Sequence, residues 1–344
     1  MTFNKQKALL IGTYGLIHGF VDFCCAAMLF SFLGKVEIVF LLQLAIIYNS
    51  LAFGLQFIFG LAADKFKRYD GFAIFGCLLL ILGIILYKNP LAAMIFMGIG
   101  NALFHVGGGV ITLEAGNGRA KLSGLFVAPG AVGLFLGTLL SSVKGFNSIW
   151  LGFLPLIGIA LMLFIQPKYE VQKIYKNEAN TSAYILIIFL ILISICIRSF
   201  VGLGYDFAAK NSMPLLFTFV FAIALGKAVG GFLSDKFGMF NVAVIGLLLS
   251  IPLLKYGFIP QLAILGMFFF NLTMPITMTA LANMMPKVKG FSFGLTTLAL
   301  LIGYLPVMCE YKVSQSMLFF EILFASVIVT AISLKLYEKL FHRP

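Results

Sequence analysis

His18 and Asp22 stand four residues apart, so on a helix an imidazole and a carboxylate share one face and can hydrogen-bond or share a proton. Asn101 and His105 repeat that spacing with an amide and a second imidazole. Arg198 brings a guanidinium that cannot shed its charge and must find an anion or water wherever it is buried. Asn271 is a further isolated amide. Groups of these kinds suit proton transfer and the holding of a polar or anionic solute. No His-Glu-x-x-His and no Gly-x-x-x-x-Gly-Lys run is present, so a concentrated enzyme motif is missing and no cofactor is expected. Cys24, Cys25, Cys77, Cys196 and Cys309 show no paired spacing, which argues against a disulfide framework or a zinc site.

The elements that must position these residues are membrane helices. Of 344 residues 61% are apolar and 10% charged, and the mean hydropathy is +1.07, so water is not the main solvent. Apolar runs long enough to cross about 30 Å of hydrocarbon recur along the chain. They predict helices near 8–33, 38–62, 71–87, 91–113, 122–143 and 148–166. After a polar stretch come six more, near 184–205, 214–233, 240–255, 259–284, 291–310 and 316–337. His18 and Asp22 then fall near the bilayer midplane in helix 1, Asn101 and His105 in helix 4, Arg198 in helix 7 and Asn271 in helix 10. An ionisable group at such depth is expensive without a partner or a cavity, which makes each a functional candidate. Helix-packing hydrogen bonds are the competing role for the histidines and asparagines, and a structural ion pair for Arg198.

Positive residues in short loops stay on the cytoplasmic side. With the N-terminus inside, sixteen Lys and Arg are cytoplasmic and six external, while Arg198 and Lys227 fall within helices. Both termini are expected in the cytoplasm and the chain in the inner membrane. Lys227 is close enough to the inner surface to snorkel. Glu37, Asp206, Glu310 and Lys312 are expected near the outer surface, paired across an outer gate, and Glu114 near the inner end of helix 4. The net charge of +12 is dispersed over loops rather than drawn into a stripe, so no nucleic-acid partner is expected. The lipid bilayer is the expected surrounding.

The chain repeats itself. Gly60-Leu-Ala-Ala-Asp64-Lys65-Phe-Lys67-Arg68 closes helix 2, and Gly231-Phe-Leu-Ser-Asp235-Lys236-Phe-Gly238 closes helix 8. About 36 residues after each comes a helical Asn, Asn101 or Asn271, and then a basic loop opening the next helix. Two parallel six-helix repeats follow, with bundles at 1–167 and 183–344 joined by a cytoplasmic linker at 168–182. The Gly-x-x-x-Asp-Lys loop of each half resembles the signature loop of the major facilitator superfamily. Phe-His-Val-Gly-Gly-Gly at 104–109, Gly118-Arg119, Gly-Leu-Phe at 124–126 and Gly226-Lys227 before Gly230-Gly231 look like the fosmidomycin-resistance type. Two departures stand out. Lys67 occupies a position usually held by glycine, and the antiporter-type Gly-Pro pair of helix 5 is reversed as Pro129-Gly130.

The resemblance implies an all-α membrane protein of twelve helices acting as a monomeric secondary transporter by alternating access, with helices 1, 4, 7 and 10 lining the cavity. It implies that Asp64 meets the start of helix 11 and Asp235 the start of helix 5, with Lys65, Arg68 and Lys236 beside them in the gating loops. On that plan Asp22, assisted by His18, carries the coupling proton, and Arg198, His105, Asn101 and Asn271 bind a small solute. Proton-coupled efflux of an anionic or drug-like compound is the leading expectation. Uptake by symport uses the same residues. Divalent-metal transport is the other alternative, because His18, Asp22, Cys24, Cys25, Met28 and His105 include suitable ligands, although a resident metal is not expected. Gly107, Gly108, Gly109, Pro129-Gly130 and Pro275 are expected as bending points or close-packing positions. An enzyme or a receptor would bring a concentrated motif or an added domain, and the short loops leave no room for either.

Overall fold

The computed structural model describes residues 5–143, 146–165, 181–309 and 317–341. Among them run twelve helices: α1 (Lys5–Phe30), α2 (Ile38–Phe66), α3 (Tyr69–Ile85), α4 (Pro90–Gly116), α5 (Ala120–Ser141), α6 (Ser148–Phe164), α7 (Ser182–Gly204), α8 (Met213–Phe237), α9 (Met239–Lys255), α10 (Pro260–Met284), α11 (Lys289–Met308) and α12 (Leu318–Leu340). Every boundary lies within four residues of the sequence expectation. Nine of the helices have 20 residues or more, while α3, α6 and α9 have 17, about 25 Å and the short end of what spans hydrocarbon. Large apolar side chains point outward along them, Phe164 at 87% exposure and Ile185 at 62% among others. Such a surface is stable against lipid rather than water. The chain is a multi-pass membrane protein. Glu310, Lys312 and the expected linker as far as residue 180 lie outside the described residues.

Two helices are interrupted. In α2 the break is at Leu55, and in α10 it is at Leu272, whose N–H reaches back three residues to the Phe269 carbonyl at 3.3 Å. Pro275 has no N–H to return to the carbonyl of Asn271, which accounts for the second break. The other expected bending points behave differently. α4 runs unbroken through Gly107–Gly109, and α5 through Pro129-Gly130. Close approach is their observed role: a Cβ at Gly107 would overlap the Tyr69 carbonyl, one at Gly109 the Phe293 ring, and one at Gly133 the Gly19 carbonyl.

The described residues gather into two compact units. The first draws on Met1–Ala115, Leu125–Glu170 and Lys287–Leu298, the second on Gly116–Gly124, Val171–Pro286 and Ala299–Pro344. Each unit therefore follows one sequence half and adds the opening turns of a helix from the other. In the first, Gly60 and Gly290 meet backbone to backbone and Gly294 lies on the backbone of Gln56 and Phe57. In the second, Gly231 rests on the Ala120 carbonyl and Gly124 on the Lys227 carbonyl. The second unit's core collects Val201, Phe219, Leu254, Met267, Phe270 and Phe319.

The loop after α2 turns at Lys67, with φ 55° and ψ 31°, and its N–H closes on the Ala63 carbonyl at 2.8 Å. The tight turn is thus made without the usual glycine, in a left-handed conformation that costs an L-residue about 1–2 kcal/mol. Lys67→Gly is expected to raise stability by about 1 kcal/mol, read as a higher midpoint in thermal unfolding of the detergent-purified protein; an unchanged or lower midpoint would mean that the Lys67 contact with the Tyr69 hydroxyl at 3.4 Å outweighs the backbone strain.

Candidate functional site

At the centre of α1 and α4 four polar side chains converge. Asn101 is 2% exposed and His18 5%, and the His18 ring lies against those of Phe104 and Phe126. His18 Nε2 lies 3.1 Å from Asp22 Oδ2, across the one-turn spacing seen in the sequence. Asn101 donates through Nδ2 to Asp22 Oδ1 at 3.2 Å. His105 comes within 3.6 Å of the same oxygen and places its Nε2 2.9 Å from that of His18. The two imidazoles meet nearly at right angles, 85° between planes.

The spacing of one turn on each helix puts the pairs on inward faces, but it takes a third helix to make room for them. On α5, a Cβ at Gly130 would collide with His18 Nε2 and Asp22 Oδ2. Gly15 and Gly19 bring α1 against the Leu125–Pro129 stretch of the same helix. The Pro129-Gly130 pair therefore has a local job that its order in the sequence did not reveal: Gly130 is a positioning residue for the histidine–aspartate cluster. Its signal was present as small residues at one-turn spacing, without any sign of what they faced.

Two further carboxylates end the loops of the repeat. Asp64, 7% exposed, accepts from the backbone N–H groups of Gly290 and Phe291, both at 2.9 Å, and from the Tyr69 hydroxyl at 3.2 Å. Asp235 accepts from the N–H groups of Ala120 at 2.8 Å and Lys121 at 3.2 Å. Both aspartates thus cap helix starts, α11 and α5, where free amides and the helix dipole favour an anion. Lys65, Arg68 and Lys236 are exposed beside them. A second contact at the α11 start was missed from sequence. Lys289, 2% exposed, pairs with Glu114 at 3.0 Å, one residue before the amides that Asp64 holds. The sequence offered each as a separate loop or helix-end charge, with nothing to join residues 175 positions apart.

Arg198 and Asn271 belong to the second unit. Arg198 is 6% exposed, and its Nε and Nη2 have no hydrogen-bond partner among the described residues. It lies six residues, about 9 Å, from the end of α7, within one residue of the place expected from sequence. Asn271 donates to the Met267 carbonyl of its own helix at 2.8 Å, immediately before the α10 break. Asp206 pairs with Lys210 at 2.7 Å. The Cys24 thiol points to the Leu151 carbonyl at 3.5 Å, away from the cluster, while Cys25 stays near it, 3.7 Å from Asn101 Nδ2.

Twelve helices in two repeats, each with an aspartate after its second helix capping a helix start, decide the architecture. The chain has the major facilitator fold. The solved human organic anion transporter MFSD10 superimposes with a TM-score of 0.71 at 11% identity, covering 98% of this chain and all of that one. The Escherichia coli fucose:proton symporter FucP gives 0.66 at 12%, covering 98% and 99%. A bacterial homologue of the iron transporter ferroportin gives 0.65 at 12%, covering 99% and 100%. In sequence the chain is similar to the uncharacterised MFS-type transporter YfnC of Bacillus subtilis, 24% identical over 245 residues, and to the fosmidomycin resistance protein of Escherichia coli, 28% over 176. These matches span 60% and 43% of the relatives' lengths. No protein-family model matches the chain. The resemblance read from the paired loops is borne out, and its finer likeness to the fosmidomycin-resistance type has a counterpart in the second relative.

Three positions are directly testable. Gly130→Ala is expected to cost about 1–3 kcal/mol by overpacking His18 and Asp22. Gly12→Ala, with nothing within 4 Å of its new Cβ, should be neutral or stabilising by up to about 1 kcal/mol. Equal midpoints for the two variants in thermal unfolding would show that Gly130 is not a tight position. Asp64→Ala is expected to lower stability by about 1–2 kcal/mol through loss of its cap, measured as a reduced unfolding midpoint at constant detergent.

Proposed function

We propose that this chain is a proton-coupled secondary transporter that exports a small anionic or drug-like solute across the inner membrane by alternating access. The observation that carries the reading is the cluster of buried His18 with half-buried Asp22 and His105, three protonatable groups at the middle of two membrane helices. Such groups at such depth serve proton or ion pathways far more often than packing alone. In this reading Asp22 and His18 carry the coupling proton, with Asn101 holding Asp22 in place.

Arg198 supplies the anion preference. A buried guanidinium with two unpartnered nitrogens and no paired carboxylate among the described residues is free to take an anionic group of the solute. His105, Asn101 and Asn271 are the further polar groups proposed to serve the solute. The names of similar proteins point the same way: a fosmidomycin resistance protein, an organic anion transporter and a fucose:proton symporter. The word symporter in the last of these names keeps co-directed transport of solute and proton as the rival outcome. The capping aspartates, Asp64 and Asp235, with Lys65, Arg68 and Lys236 in the same loops, act as latches that hold one state of the cycle. A cap of this kind is worth about 0.5–2 kcal/mol, while one proton moving through about 150 mV supplies about 3.5 kcal/mol, so the driving force can open it. The distribution of basic residues, sixteen against six, supports cytoplasmic termini.

The test is solute-induced proton movement in proteoliposomes of known orientation, with phosphonates and carboxylates as probes. Counter-directed proton flux is expected in the wild type, reduced at least roughly tenfold in Asp22→Asn, because a charge-assisted hydrogen bond of about 1.5–3 kcal/mol is lost. Arg198→Ala is expected to raise the half-saturating solute concentration by a similar factor. Co-directed flux would turn the assignment to uptake, and intact coupling in Asp22→Asn would remove Asp22 as carrier.

A further inference from the structure

The two imidazoles of the cluster fix each other's protons. His18 Nδ1 lies 2.7 Å from the Phe126 carbonyl oxygen, and His105 Nδ1 lies 2.9 Å from the Asn101 carbonyl oxygen. A carbonyl only accepts, so both Nδ1 atoms carry hydrogen. A neutral imidazole protonated at Nδ1 presents a bare lone pair at Nε2. Two bare lone pairs would then face each other across the 2.9 Å between the Nε2 atoms, which is a hydrogen-bond distance rather than a distance at which two acceptors rest.

We propose that one extra proton sits between His18 Nε2 and His105 Nε2, and that His105 is a direct carrier of the coupling proton rather than a solute ligand alone. This rests on the proton-coupled reading above. The pair then holds three protons on four ring nitrogens and a charge of +1, and ionised Asp22, with Oδ2 3.1 Å from one Nε2 and Oδ1 3.6 Å from the other, brings the cluster to neutrality. Placing the proton on Asp22 instead leaves the two lone pairs opposed. Asn101 cannot relieve them, because its Nδ2 donates to Asp22.

The surroundings agree with this count. Near the cluster are Cys25 on α1 and Tyr48 on α2, and Cys24 and Cys77 lie close to Cys25. From α5 come Gly130, without a side chain, and the Phe126 carbonyl and ring. No lysine or arginine acts on Asp22 among the described residues, so its neutralising charge comes from the imidazoles. On release the proton passes to water on one side of the membrane, the cluster becomes −1, and the two Nε2 lone pairs repel. The rings must then part. Loading and unloading therefore change the approach of α1 to α4, a link between protonation and conformation within one unit.

The chain has only three histidines, His18, His105 and His342, so histidine-specific 15N labelling in nanodiscs gives a simple spectrum. With His342→Gln removing the third signal, the wild-type pair is expected to show two protonated Nδ1 atoms and one far-downfield proton coupled to both Nε2 nitrogens. His105→Gln should abolish that proton signal and lower gradient-driven accumulation at least tenfold. Two neutral rings with no Nε2 proton would overturn the shared proton even if transport is intact. Chelator-reversible loss of the signal with added cobalt, at concentrations equal to protein, would overturn it in favour of a cation on the same atoms. If the shared proton is present but no solute moves protons, the shared proton stands, and the coupling role of His105 falls together with the transport reading.

Discussion

In hydrocarbon every backbone N–H and every charge must have a partner inside the protein, and Asp64 and Asp235 meet both demands at once. Asp64 is buried and Asp235 exposed, yet each receives two backbone amides from a helix start, at 2.8–3.2 Å. Each helix start gains the anion that its dipole favours. The consequence reaches the organisation of the whole chain. The opening turns of α11 gather with the first unit and those of α5 with the second, so the compact units cross the boundary between the sequence halves.

That arrangement depends on the absence of side chains. Asp64 reaches the Gly290 and Phe291 amides because Gly60 and Gly290 let two backbones touch, and Asp235 reaches Ala120 because Gly231 does the same. Gly130 works by the same rule at the polar cluster, leaving space where His18 and Asp22 meet. Without a hydrophobic force between helices in lipid, close backbone contact and polar bonds supply the association. Here the two are coupled: the small residue creates the approach that the polar group needs.

The histidine–aspartate cluster and the caps differ in energy scale and in what can change them. A cap is a pair of neutral donors on one carboxylate and is modest in worth. The cluster is a set of charges that cancel, buried among Phe104 and Phe126, and its balance changes by a full unit with one proton. Such an assembly suits a switch, because gaining or losing one particle alters an interaction that low dielectric leaves unscreened.

Much was legible from residues alone. Twelve apolar runs fixed the helices to within four residues, because hydrocarbon thickness and backbone satisfaction leave few choices. The doubled Gly-x-x-x-Asp-Lys loop marked the repeat and the fold it resembles, and four-residue spacing put His18 with Asp22 and Asn101 with His105 on shared faces. Helix periodicity is local, and local facts survive in a sequence. What faces those residues is not local. The meeting of the two Nε2 atoms, the space under Gly130, the Glu114–Lys289 pair and the backbone bond that occupies Asn271 each join or exclude atoms through rotamers and packing of distant segments. The left-handed turn at Lys67 belongs with them, since the sequence carried the wrong residue for it and the neighbouring contacts imposed it. Sequence determined which groups enter the membrane and at what depth; tertiary structure alone decided which lone pairs, amides and charges they confront, because hydrogen-bond geometry is set by three-dimensional approach and not by spacing along the chain.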